Sequence, residues 1–136
     1  MSDLNLEWLY HTYQNTDNLV IFDVGANNLS DSIRMRLVFP DAQIVCFECN
    51  KSLEKSNISK AKEYNLDYHH VAISAKSEPI VFYEYGDHLI GTTKQSVIDY
   101  HKNKKIKNQY QVPATTLNNF CNQNKIFPNL LHIDIE

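Results

Sequence analysis

The chain is short of glycine, and nowhere does it carry the G-x-G-x-x-G turn of a dinucleotide-binding site. That absence disfavours an NAD-dependent oxidoreductase. No apolar run approaches the length of a membrane span, and Met1-Ser-Asp-Leu-Asn5 has neither the basic nor the apolar region of a signal peptide. The expectation is a cytoplasmic protein with no membrane partner. Cys46, Cys49 and Cys121 are too few for a disulfide framework, which fits a reducing compartment. Cys46-x-x-Cys49 falls short of a zinc site, which needs four ligands, and residues three apart on a strand face opposite sides. No metal is expected. Basic residues are not in excess: 13 Lys and Arg stand against 16 Asp and Glu, for a net charge of −3, which gives no general reason to expect nucleic-acid binding. The basic run His101–Lys107 reads as a solvated segment.

What is present suits one soluble domain spanning residues 1–136, with ordinary apolar content and no repeat or linker. Its organising stretch is Leu19–Ser30. Leu19 to Phe22 is an apolar run too short for a helix and long enough for a buried strand. Asp23 ends the run, Gly25 follows, and Ser30 or Asp31 can cap a helix. Strand, carboxylate, small residues and helix start make the first β-α turn of a nucleotide-binding α/β fold. Gln43–Glu48 repeats the pattern, placing a second carboxylate 25 positions after Asp23. At the tip of a neighbouring strand, Glu48 can accept hydrogen bonds from both ribose hydroxyls of a nucleoside cofactor.

Along the chain, Leu6, Leu9, Tyr10 and Tyr13 predict an amphipathic helix beside the sheet. Strands are predicted at Leu19–Val24, Gln43–Glu48, Tyr68–Ile73, Ile80–Tyr85, Tyr110–Val112 and Leu130–Ile135. Helices are predicted at Ser30–Phe39, where Ile33 and Leu37 stand one turn apart, at Lys51–Tyr64 over Leu53, Ala61 and Tyr64, and at Thr116–Asn124 over Leu117 and Phe120. Gly86–Thr93 reads as a loop and Gln95–His101 as a short helix. In the last strand Asp134 and Glu136 share one face, with His132 deeper. A parallel strand buried on both faces needs a covering helix after it. The chain therefore reads as the N-terminal part of a longer protein, truncated after the fourth parallel strand.

Asp23-Val-Gly-Ala-Asn27, Phe47-Glu48, His70-Val-Ala-Ile-Ser74, Leu117-Asn-Asn-Phe120 and Leu131-His-Ile-Asp-Ile-Glu136 resemble, in that order, the FkbM-type S-adenosylmethionine-dependent methyltransferases. The resemblance runs from about Leu19 to the last residue and is loose between Tyr85 and Asn108. Leu29 stands where that family usually has glycine, Cys49 where it has proline, and His132 where it has lysine. The resemblance implies a Rossmann-like class I methyltransferase fold, a doubly wound and mostly parallel sheet. It implies S-adenosylmethionine bound by Asp23, Gly25, Asn27 and Glu48, with Val71 and Ala72 lining the adenine pocket. It also implies O-methylation of a hydroxylated small molecule or sugar. Asp134 and Glu136 are then the candidate catalytic carboxylates, to take a proton from the acceptor or to hold it. The rival of another class is a non-catalytic, methyltransferase-like binding module.

Overall fold

The computed structural model describes residues 4–85, 91–92 and 106–135. Four parallel strands form the central sheet: β1 (Val20–Val24), β2 (Gln43–Phe47), β3 (Asp67–His69) and β9 (Leu130–Ile133), in the order β3-β2-β1-β9. Helix α2 (Ser30–Val38) joins β1 to β2. A 3₁₀ turn (Lys51–Leu53) runs into α3 (Glu54–Tyr64), which joins β2 to β3. These are the crossover connections that parallel strands require. The sheet grows outward from β1 through β2 to β3, then resumes on the other side of β1 with β9. That reversal makes the C-terminal ends of β1 and β9 a topological switch point, where open α/β sheets bind their ligands.

Alternation along the strands builds two cores. Ile21, Ile44 and Cys46 face α1 (Leu6–Tyr13), α2 and α3, packing with Leu9, Met35 and Ala61. Phe22, Val24, Val45 and Phe47 face the other way, onto Phe120 and Cys121 of α4 (Leu117–Asn124). Helices on both faces are what a doubly wound sheet needs. Asn5 caps α1 by accepting the Trp8 N–H at 3.0 Å, and Thr116 caps α4 by accepting the Asn119 N–H at 3.0 Å. Among the described residues no helix is long and apolar enough to cross a membrane.

Several expectations shift. The inward face of α2 is Ser32 and Met35, while Leu37 is 70% exposed and does not pack on the sheet. The predicted third strand divides. Asp67–His69 stays in the main sheet, the Val71 N–H turns back onto the His69 carbonyl, and β4 (Ala72–Ile73) pairs instead with β8 (Ala114–Thr115). Beside it lies an antiparallel layer of β5 (Ile80–Tyr85), β6 (Gly91–Thr92) and β7 (Ile106–Val112), longer than the brief strand expected at Tyr110. Its small core is Ala72, Phe82 and Val112. Gly91–Thr92 is strand where a loop was expected; the rest of that loop and the Gln95–His101 helix lie outside the described residues. On β9, Leu131 and Ile133 are 41% and 52% exposed on the α4 side of the sheet.

Candidate functional site

The site is built where β1 gives way to α2. Gly25 has φ +77°, and a Cβ there would lie 2.3 Å from the Asp134 carbonyl oxygen. Glycine is therefore required by the close approach of the chain leaving β9, together with the left-handed backbone. The family resemblance assigns Gly25 to the cofactor; the Asp134 contact is a separate reason for glycine here. Asn27 and Leu29 also adopt left-handed backbone, with φ 51° and 67°. Leu29 explains the local geometry of α2. It occupies the N-cap position without a side-chain cap, and its own side chain is fully buried in the core. Neither Ser30 nor Asp31 caps the helix; the Asn28 side chain accepts the Ser30 N–H at 3.2 Å instead.

Neighbouring elements hold this loop from several sides. The Gly25 and Ala26 N–H groups both donate to the Phe47 carbonyl, at 2.9 and 3.0 Å. Buried Asn57 of α3 donates to the Asn27 carbonyl at 2.7 Å, and Lys60 to the Asn28 carbonyl at 3.0 Å. Glu48 completes the clasp. Its Oε1 accepts the Asn27 N–H at 2.8 Å and its Oε2 the Asn50 N–H at 2.7 Å. The segment after β2 is in turn tied to the antiparallel layer. The Lys51 N–H donates to the Tyr110 hydroxyl, and the Ser52 hydroxyl lies 2.7 Å from both oxygens of buried Glu84.

Asp23 is 1% exposed, on the same face of the sheet as its register partners Cys46 and His132. The Ser32 hydroxyl donates to Asp23 Oδ2 at 2.5 Å, and the Cys46 thiol donates to Ser32 at 3.1 Å. Burial pushes the Asp23 carboxyl up to about 6; the Ser32 bond and His132 draw it down, while Asp31 and Asp134 push it further up. Cys46 and Cys49 are each pushed up to about 12 by burial, so both are thiols.

The structure thus gathers Asp23, Gly25, Asn27, Glu48 and Asp134 around one end of the sheet. Val71 and Ala72 are placed differently. Val71 packs half-buried against the Phe47 and Phe120 core, and Ala72 is buried with Phe82 and Val112. Glu136 lies outside the described residues. Two residues were undervalued in the sequence: Asp31, read only as a cap, and His132. His132 Nε2 lies 3.3 Å from Asp31 Oδ2, and Asp134 joins them. The available signal was the His132-x-Asp134 alternation, which puts both side chains on the α2 side of the last strand. A surface depression lined by Arg36, Asp41, Gln43 and Asp67 lies at the opposite, N-terminal ends of the strands, away from these groups. No family model, curated protein or solved structure matches this chain.

Proposed function

We propose that the chain is the cofactor-binding part of an S-adenosylmethionine-dependent methyltransferase acting on a hydroxyl of a small molecule or sugar. The observation that carries this reading is the placing of Asp23 and Gly25 at the switch point of a β3-β2-β1-β9 parallel sheet, with Glu48 at the tip of the adjacent strand. The donor set fits the cofactor. Each Glu48 oxygen has one recorded bond, from a backbone N–H, which leaves acceptor capacity for a ribose hydroxyl. Asp23, buried against its preference for water, would gain a counter-charge from the ammonium of the methionine end.

S-adenosylmethionine would supply a methyl group activated on a sulfonium, transferred as a C–O bond forms and the S–C bond breaks. The protein's part is orientation and proton removal. Glu48 and Asp23 would fix the two ends of the cofactor, while Asp134, exposed at the sheet tip, would receive the acceptor's hydroxyl proton.

Titration calorimetry with S-adenosylmethionine, its demethylated product and NAD tests the reading. Saturable heat with the first two and none with NAD is expected. Heat with NAD alone would replace the methyltransferase reading with an oxidoreductase. Heat with none of the three would leave the binding-module reading.

A further inference from the structure

Asp31 lies in the first turn of α2, His132 within β9 and Asp134 directly after its last residue. One ligand atom from each lies within 4.8 Å of the others. The His132 Nε2 to Asp31 Oδ2 separation of 3.3 Å is close to the edge of a tetrahedron whose vertices are about 2.0–2.2 Å from a central ion, roughly 3.4 Å. Asp134 is exposed and free to turn toward that centre, while the other two are partly buried and fixed by their elements.

A second observation points the same way. Behind the three stands Asp23, 1% exposed, held by Ser32 through Oδ2. Its other oxygen, Oδ1, takes no hydrogen bond among the described residues. It is close enough for its charge to be felt by Asp31, His132 and Asp134 alike. Three carboxylates around a single imidazole leave negative charge uncompensated even if the imidazole is protonated. Arg34, half exposed, pairs with Asp31 Oδ1 at 3.2 Å and offsets one of these charges.

We infer that Asp31, His132 and Asp134 form a binding site for a divalent first-row metal ion at the mouth of the switch point. Two carboxylates and one imidazole are a donor set suited to Mn²⁺, Fe²⁺ or Zn²⁺. Three protein ligands leave coordination positions open to water or to an oxygen of a bound molecule. The site stands independently of the methyltransferase reading.

Mn²⁺ is the probe, because the chain also carries six histidines and three cysteines that would scatter Zn²⁺. The 136-residue protein is stripped with a chelator and titrated without any cofactor, following free Mn²⁺ by electron paramagnetic resonance. One ion per chain is expected. Asp134→Asn, at an exposed position, and His132→Gln should each weaken binding at least tenfold, with melting curves showing both variants folded. Asp41→Asn, at the other end of the sheet, should leave it unchanged. Absence of saturable Mn²⁺ binding overturns the site and leaves an ordinary His132–Asp31 ion pair. Binding that both ligand variants retain places the ion elsewhere and overturns it equally. S-adenosylmethionine binding without Mn²⁺ binding would make the cluster an ammonium pocket and end the metal proposal while sparing the cofactor reading.

Discussion

Glu48 Oε1 accepts the Asn27 backbone N–H at 2.8 Å, so the carboxylate at the tip of one strand fixes the turn that leaves the next. Its second oxygen fixes Asn50, and the residue joins two loops through charge-assisted bonds. Glu48→Ala should cost about 1.5–3 kcal/mol of stability per bond lost, reduced by its partial exposure, as read by urea denaturation. Cofactor affinity should fall at least tenfold by calorimetry. Unchanged affinity with lowered stability would make Glu48 a loop fastener only.

Leu29 carries two opposed terms. Its left-handed backbone costs about 1–2 kcal/mol, which glycine would relieve. Its side chain is fully buried, and deleting a buried leucine side chain costs about 2–5 kcal/mol. Burial wins. Leu29→Gly is expected to lower stability by up to about 4 kcal/mol, while cofactor binding stays within a few-fold. A variant more stable than the wild type would show that backbone strain outweighs packing here.

Asp23 gives a pH signature. Its carboxyl is held at about 6 in the folded protein against an ordinary 3.8, so folding favours the protonated form. That contribution is present in full below pH 3.8 and is lost as pH rises through about 6. At pH 7 the ionised group costs about 2–3 kcal/mol by the size of the shift. In chelator-treated samples, Asp23→Asn should match or exceed the wild type's stability at pH 7, and the difference should close below pH 4. A pH-independent difference between the two proteins would refute this account.

Val24 and Ile133 are register partners on adjacent strands, yet one is 1% and the other 52% exposed. Ile133→Ala should therefore change stability by less than about 0.5 kcal/mol. Ile21→Ala, at a fully buried position of β1, should cost about 2–5 kcal/mol. Equal losses in denaturant unfolding would mean that the Ile133 side of β9 is covered in solution.

The sequence by itself determined β1, β2 and α4 nearly to the residue, because short apolar runs and the Leu117–Phe120 spacing are local signals that the tertiary structure reinforces. It also determined that Asp23, Gly25 and Glu48 stand at strand ends, since a run's last residue is readable without a fold. Tertiary structure decided the rest. Met35 and not Leu37 faces the sheet, because the rotation of α2 is set by the turn at Leu29. The run after Leu66 splits into β3 and β4, because Ala72 and Ile73 find partners in β8, far along the chain. Asp31 and His132, 101 positions apart, meet because β9 inserts beside β1. Helix rotation and long-range strand pairing depend on what each element packs against, and no local pattern carries that information.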